Sequence, residues 1–224
     1  MTRETTRAAS AARSVLAQDF FERAQERLTL DPPAGLADPN VTPRRGDHDV
    51  DPVMLAIAAV RPIKPAAVLV PIVDRPEPTV LLTQRTTELS NHAGQIAFPG
   101  GKIDPGDASP LAAALREANE EIGLDARLVY PIGYLDVYMT TLGFRIAPTV
   151  ARVDPQFKLA LNPAEVHDTF EVPLAFLMQP INHQRHSREW NGMTRHYYAI
   201  PFGDRYIWGV TAGILRNLHD RIYG

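Results

Sequence analysis

Hydrophobic and polar positions divide the chain into short strand-like and helical segments. From residue 66, the run AAVLVPIV, the turn DRPEP and the run TVLLTQR predict a β-hairpin. A fourfold apolar spacing within residues 10–30 predicts an amphipathic packing helix, with its stripe at Leu16, Phe20, Ala24 and Leu28. The Pro-, Asp- and Gly-rich segment that follows is typical of an extension that wraps a domain.

A second helix is predicted between Ser109, a good N-cap, and Gly123, the residue type favoured at a left-handed C-terminal cap. Pro110 suits its first position. At 100° per residue, one stripe of this helix is apolar and predicts the core face: Leu111, Leu115, Ala118 and Ile122. Nearly opposite are three carboxylates: Glu117, Glu120 and Glu121.

Further strands are predicted at RLVYPIGYLDVYM, FRIAPTVARV, RHYYAIPF and RYIWG, and a last helix runs from Val210 to Ile222. Strands outnumber the helices inserted between them, which favours an α/β fold with a mixed sheet packed between helices. We expect residues 1–61 to form a helix and loop-rich extension and residues 62–224 to form the domain.

Composition narrows the function classes. The 224 residues carry a formal net charge of −3, which gives no global basic field for nucleic acid or an anionic membrane. There is no cysteine, which excludes disulfide scaffolds and thiolate metal sites. The longest apolar run, Val53 to Val60, is far shorter than the roughly 20 residues of a membrane span. We expect a soluble, cytoplasmic protein, with a homodimer through the N-terminal helix left open.

Charge is concentrated around the second helix. Residues 101–125 hold six acidic and two basic side chains, a local net of −4, so the rest of the chain carries +1. Like charges at helical spacing cost about 0.2–0.5 kcal/mol per pair, and within the helix only Arg116 offsets them. A solvated helix face is one explanation. The Gly-rich loop before the helix and the nearby Asp104 and Asp107 instead favour an oxygen-only site for Mg²⁺ or Mn²⁺.

The segment GGKIDPGDASPLAAALREANEEIGL resembles the signature of Nudix hydrolases, G-x5-E-x7-R-E-U-x-E-E-x-G-U, where U is apolar. The second half of the signature matches in spacing and type at Arg116, Glu117, Ala118, Glu120, Glu121, Gly123 and Leu124. In the first half, Asp107 stands where Glu is usual, and eight residues rather than seven separate it from Arg116. The resemblance implies a Nudix-type α/β/α sandwich.

A second segment, LLTQRTTELSNHAGQIAFPGG, is similar to the one that marks the coenzyme A pyrophosphatase branch of this family. Residues 81–85, Gly94 and residues 98–101 agree, whereas the branch has Ser or Ala at Thr86 and Arg at Ser90. Further likeness downstream extends the resemblance over about residues 62–222. It implies that a divalent cation, Mg²⁺ or Mn²⁺, assists hydrolysis of the diphosphate of coenzyme A or an acyl derivative.

The resemblance also implies roles for individual residues. Glu117 and Glu121 are the expected metal ligands, with Glu120 a third ligand or the residue that positions water. Arg116 is expected to orient a glutamate, and Gly100 to offer a backbone carbonyl to the metal. For the general base, Glu165 is favoured slightly over Glu120; His92 and His167 are alternatives, although a lone histidine is more often structural or exposed.

Substrate contacts are expected from basic and Gly-rich positions near the matching segments: Arg85, Phe98, Gly101, Lys102 and Arg145. Tyr138, Met139 and Phe144 are candidates for an apolar surface, although aromatic residues at strand spacing are more often core. Two alternatives stay open. One is hydrolysis of another nucleoside diphosphate derivative such as ADP-ribose or NADH, and the other is a nucleotide-binding regulatory module without catalysis.

Overall fold

The structure is a computed structural model that describes residues 19–88, 93–190 and 192–224. The strands are β1 (Arg45–Gly46), β2 (Lys64–Val73), β3 (Thr79–Arg85), β4 (Ile96–Ala97), β5 (Gly100–Lys102), β6 (Val129–Tyr134), β7 (Tyr138–Met139), β8 (Phe144–Val153), β9 (Val166–Pro173), β10 (Gln184–Trp190), β11 (Met193–Phe202) and β12 (Arg205–Trp208). The helices are α1 (19–27), α2 (Val53–Ala59), α3 (Pro110–Ile122), α4 (Leu174–Leu177) and α5 (Val210–Tyr223).

Strands β2 and β8 form the centre of the main sheet. They pair in parallel over ten residues, from Lys64 opposite Phe144 to Val73 opposite Val153. The other edge of β2 is shared: β3 pairs antiparallel with its end, and β5 pairs antiparallel with Ala66–Val68 near its start. Across the described residues the sheet has nine strands of mixed direction. Because β3 pairs with only the end of β2, β5 can pair near the start of β2, which places the loop after β5 at this edge of the sheet.

The two faces of β2 pack against different helices because successive side chains in a strand point to opposite sides. Ala67, Leu69 and Val73 belong to a core with α3. Ala66, Val70 and Ile72 belong to a second core with α5 and residues of α1. The predicted α/β fold, with a mixed sheet between helices, is confirmed.

Several predicted elements are present with close to their expected bounds. The first hairpin forms, with Val73 paired with Thr79. Helix α3 begins at Pro110 and ends before Gly123, whose φ of 67° is left-handed. Helix α2 and strand β10 were not predicted, nor was the separate antiparallel sheet β10-β11-β12. Among the described helices, none has both the length and the apolar character to cross a membrane.

Within the expected extension, Phe20, Ala24 and Leu28 are buried in the core beside α5. Leu16 lies outside the described residues. Further along, β1 pairs in parallel with β7, and Asp47 accepts hydrogen bonds from Tyr138 Oη and the Thr141 amide. The extension therefore contacts the domain, and the boundary after residue 61 stays a prediction.

Candidate active site

Strand β5 carries the glycines that bring backbone close to the helix. Gly100 has a φ of 152°, and a Cβ there would lie 2.4 Å from the carbonyl oxygen of Ala67. Only glycine fits this approach. Its amide donates to Glu121 Oε2 at 3.1 Å. The strand thus fixes one oxygen of a helical carboxylate.

Helix α3 is held at its start by the Ser109 hydroxyl, which accepts from the Ala112 amide at 3.1 Å. The predicted core stripe is confirmed for Ala118 and Ile122, which are buried, and Leu115 is partly buried against the same core. Leu111 is only partly buried, whereas Ala113, Ala114 and Glu121 also take buried positions. Small residues let the helix approach the sheet closely, and the predicted core position of Leu111 is wrong.

Arg116 ties the loop to the helix. Its Nε and Nη2 donate to the two oxygens of Asp107, each at 3.0 Å, and Nη2 also donates to the Lys102 carbonyl. Its Nη1 donates to Glu117 Oε1 and Glu120 Oε2, each at 3.1 Å. The guanidinium holds the pKa of the Asp107 carboxyl below its usual value. Asp107 therefore anchors Arg116, which in turn orients Glu117.

Glu121 is the most buried of the three glutamates, with 3% of its surface exposed. Burial raises the pKa of its carboxyl to about 7, against the opposing effects of the Gly100 amide and Arg85. Arg85 Nη1 lies 3.5 Å from Glu121 Oε1. The charges of Glu117 and Glu165 raise the pKa further. The ionised form of Glu121 would therefore be stabilised by an additional positive charge nearby.

Glu117 packs directly against Gly101. A Cβ on Gly101 would lie 2.5 Å from both Cδ and Oε1 of Glu117, so the absence of a side chain makes room for the carboxylate. Burial raises the pKa of Glu117, and the charges of Glu120 and Glu165 add to this effect. Arg116 opposes the shift. Glu117 and Glu121 thus share a region with an excess of negative charge.

Glu165 reaches the same region from the loop before β9. The loop packs on the end of α3, where the Asn162 amide donates to the Glu121 carbonyl. Asn162 Nδ2 donates to Glu165 Oε1 at 3.1 Å, and the Glu165 carbonyl accepts from the Thr86 amide. Glu120 differs, since 55% of its side chain is exposed and it pairs with Arg116. The two candidate bases therefore occupy different environments.

A cavity of about 760 Å³ is lined by residues that contact Glu117 and Glu121, although the two carboxylates are not themselves in its lining. We call these two carboxylates, with α3 and the adjoining lining residues Arg85, Gly100, Gly101 and Lys102, the carboxylate side. The part from the three-stranded sheet is the arginine side, comprising Arg188, Trp190, Arg195, Tyr197 and Trp208. The volume lies within the range of about 300–1,000 Å³ usual for small-molecule sites.

The amino-acid sequence of this chain is similar to a known domain family and to known proteins. A sequence profile described as the NUDIX domain matches residues 63–191. A protein named "Uncharacterized Nudix hydrolase NudL" from Yersinia enterocolitica is 41% identical over 157 residues, which cover 70% of this chain and 80% of that protein. The protein of the same name from Cronobacter sakazakii is 44% identical over 161 residues, covering 68% and 80%. The chain belongs to the Nudix family.

Solved Nudix structures are also similar to this chain. The Nudix hydrolase RenU from M. smegmatis is 23% identical with a TM-score of 0.42, covering 49% of this chain and 70% of its own. The MutT protein from Methanosarcina mazei Go1 is 17% identical with a TM-score of 0.44, covering 72% and 94%. By family membership, the protein is a Nudix pyrophosphohydrolase that acts on a nucleoside diphosphate derivative.

Nudix hydrolases generally use divalent metal ions, and the side chains of α3 fit that requirement chemically. Glu117 and Glu121 supply only oxygen, the donor that Mg²⁺ and Mn²⁺ prefer. Their raised pKa values reflect burial and mutual repulsion, which a bound cation would offset. Within the described ranges, no three acidic or histidine side chains already converge on one point. The donors are thus close together without forming a closed cage.

Three of the predicted substrate residues with large side chains line the cavity, and one does not. Arg85, Phe98 and Lys102 are in its lining, although Phe98 is buried in the core beneath it. Arg145 is buried elsewhere, and its Nη1 donates to the carbonyls of Gly35 and Asp38. Its guanidinium binds the N-terminal extension instead of lining the cavity. The structure therefore corrects the expectation that Arg145 contacts a phosphate of the substrate.

The remaining candidates fall in different places. Tyr138 and Phe144 line the cavity, whereas Met139 lines a smaller pocket beside Arg145. His167 is exposed on β9. His92 and Ser90 lie outside the described residues.

The arginine side was missed by the sequence interpretation. Its strand β10 is almost wholly exposed and mostly polar, so no hydrophobic alternation marks it. The available signal was the alternation of Arg188 and Trp190 in the run RHSREW, opposite the predicted strand RHYYAIPF.

Proposed function

We propose that this Nudix hydrolase splits the diphosphate of coenzyme A, or of an acyl derivative, with Mg²⁺ or Mn²⁺ as cofactor. Water supplies the oxygen that forms the new bond to one phosphorus, and the bridging P–O bond breaks. The two protons of water end on the two phosphate products or in solvent. The products are 4′-phosphopantetheine and adenosine 3′,5′-bisphosphate.

Arg85 carries the proposal. It ends the segment LLTQR, which resembles the coenzyme A branch, and it lies in the cavity lining beside Glu121. Its Nε has no hydrogen-bond partner among the described residues. A phosphate oxygen that enters the cavity beside this guanidinium would be a charged acceptor, and hydrogen bonds to charged groups contribute about 1.5–3 kcal/mol. The other matching segment, residues 98–101, lines the same part of the cavity.

Residues of α3 and of the neighbouring loop have separate roles in the proposed reaction. Glu117 and Glu121 hold the cation, which when bound neutralises the diphosphate and lowers the pKa of water. Arg116 orients Glu117 through the bond at 3.1 Å. Glu165, held by Asn162, is the proposed general base because its charge acts on both Glu117 and Glu121. Glu120, paired with Arg116 at the surface, is the second candidate base.

The test is to incubate the protein with coenzyme A and Mg²⁺ or Mn²⁺ and to separate the products by chromatography. Equal amounts of 4′-phosphopantetheine and adenosine 3′,5′-bisphosphate are expected. No products with either metal would refute the proposed substrate. Hydrolysis of ADP-ribose or NADH in the same assay would then identify another nucleoside diphosphate derivative.

Glu165→Gln and Glu120→Gln distinguish the two candidate bases. Loss of the general base should lower kcat by about 100–10,000-fold with little change in KM, because general-base catalysis typically contributes that much. We expect this result for Glu165→Gln. If Glu120→Gln shows this loss while Glu165→Gln does not, the base is Glu120.

A further inference from the structure

The arginine side of the cavity contains an unusual pair of charges. In the antiparallel register of β10 and β11, Arg188 lies directly opposite Arg195. Like charges at directly opposed positions destabilise a sheet, because their side chains leave the same face close together. Both residues line the cavity. The two arginine side chains therefore repel each other on the face of the sheet that lines the cavity.

Neither arginine has an acidic partner among the described residues. Arg188 stacks over the Trp190 ring at 5.2 Å. The Nη1 of Arg195 donates to the Met54 sulfur, and its Nε has no hydrogen-bond partner within the part of the chain that the structure describes. Asp47, an acidic residue in the cavity lining, instead accepts from Tyr138 and Thr141. Two positive charges thus share one wall of the cavity.

Several other arginines of the described residues are paired with carboxylates. Arg75 binds Glu171 through two hydrogen bonds, and Arg205 contacts Asp168 at 2.6 Å. Arg185, next to the pair on β10, donates to the Val50 carbonyl. Arg188 and Arg195 face the cavity without such a partner among the described residues, so their charges are available to a ligand. A phosphomonoester, with up to two negative charges and three acceptor oxygens, matches two guanidinium groups.

Aromatic rings flank the same pair. Tyr197 and Trp208 lie with ring centroids 5.4 Å apart, and Trp190 is 52% exposed at the end of β10. All three line the cavity. Tyr197 and Trp208 are half-buried and Trp190 is the exposed ring, and an exposed ring beside arginines is a typical surface for stacking a nucleobase. The arginine side therefore offers both elements that a nucleoside monophosphate group requires.

We propose that Arg188 and Arg195 bind a phosphomonoester of the substrate that is separate from the diphosphate that is cleaved, with its base on the neighbouring aromatic rings. This rests on the proposed function: in coenzyme A, the group is the 3′-phosphate of the adenosine. The carboxylate side then holds the diphosphate, and the arginine side selects substrates that carry a second phosphate.

The test compares coenzyme A with dephospho-coenzyme A, which differs only by the 3′-phosphate. Wild-type protein should show a higher kcat/KM for coenzyme A. Arg195→Gln and Arg188→Gln should each lower kcat/KM for coenzyme A by about 10–100-fold, mainly through KM, because a charged hydrogen-bond partner is lost. Their kcat/KM for dephospho-coenzyme A should change less than about threefold.

Arg127→Gln is the matched control, since Arg127 is 89% exposed and pairs only with Asp125. It removes the same charge and should leave both substrates unaffected. Circular dichroism and thermal melting verify that each variant is folded. If wild-type protein hydrolyses both substrates equally well, or if the variants keep the preference for coenzyme A, the inference is overturned while the proposed function stands.

A binding measurement separates the inference from failure of the proposed function. Calorimetry with adenosine 3′,5′-bisphosphate and with adenosine 5′-monophosphate needs no turnover. Tighter binding of the bisphosphate by wild-type protein, lost in Arg195→Gln, supports the phosphomonoester site even if coenzyme A is not hydrolysed. Equal binding of the two nucleotides, or a preference unchanged in Arg195→Gln, overturns it.

Discussion

The two sides of the cavity are built in opposite ways. The carboxylate side depends on residues close together in the chain, with β5 and α3 joined through Arg116 and Asp107. The arginine side depends on strand register, which places Arg188 opposite Arg195. On the first side, excess negative charge is held by backbone donors and an arginine. On the second, two arginines have no acidic partner in the described ranges, so the two sides suit a cation and an anion respectively.

The largest expected effect is at Glu121. Glu121→Gln removes the buried carboxylate that the Gly100 amide orients, and we expect kcat to fall by at least about a thousandfold through loss of metal-assisted catalysis. Steady-state kinetics with Mg²⁺ measures this. Glu120→Gln, at an exposed position, should cost much less. A Glu121→Gln variant that keeps a tenth of wild-type kcat would remove this residue from the site.

The second-largest loss of activity is expected when a side chain at position 101 contacts Glu117. The Cβ of Gly101→Ala would displace the Glu117 carboxylate, whose flexible end can move without unfolding the protein. A misplacement of about 1 Å can cost about 100-fold in rate, so we expect kcat to fall by about 10–100-fold. Gly106→Ala is the matched control in the same loop, because its Cβ meets nothing within 4 Å. Equal activity of both variants would contradict the assigned role of Gly101.

The carboxylate side should also make the metal-free protein sensitive to pH. The pKa of Glu121 rises from 4.5 to about 7 on folding, so between these values the folded protein holds a proton that the unfolded chain releases. Stability should therefore fall as pH rises through this window, by up to about 3 kcal/mol. Urea unfolding with a chelator at pH 5 and pH 8 measures the difference.

Glu121→Gln is the control for that pH dependence, because an amide does not titrate. The variant should lose less stability between the two pH values than wild-type protein. An identical pH dependence in both proteins would mean that another group titrates. Variants of Arg188 and Arg195 should not alter it, because neither residue is among the groups that shift the pKa of Glu121.

The smallest effect on activity is expected at Arg145, which belongs to neither side. Arg145→Gln should leave kcat/KM unchanged but lower the free energy of unfolding by about 1–3 kcal/mol, because the buried Gly35 carbonyl and the Asp38 carbonyl lose a charged donor. Urea unfolding compares it with the exposed Arg127→Gln. A loss of activity without a loss of stability would restore Arg145 as a substrate contact.

The sequence predicted the features that local spacing determines. Helix α3, its caps and the hairpin followed from short-range patterns. The helix wheel placed Leu115, Ala118 and Ile122 on the core side but failed for Leu111 and for Glu121, because alanines pack against the sheet and the buried Glu121 takes a core position. Arg145 was assigned to substrate from its position in the chain, although tertiary contacts with the extension use its charge. The Arg188–Arg195 pair depends on a register that exists only once β10 and β11 have paired.

A competition assay tests the central proposal most directly. Coenzyme A, ADP-ribose and NADH are mixed at equal concentrations with the protein and Mg²⁺, and the ratio of products gives the ratio of kcat/KM values. The proposed function predicts that coenzyme A is consumed first, yielding adenosine 3′,5′-bisphosphate. Faster consumption of ADP-ribose or NADH would contradict it.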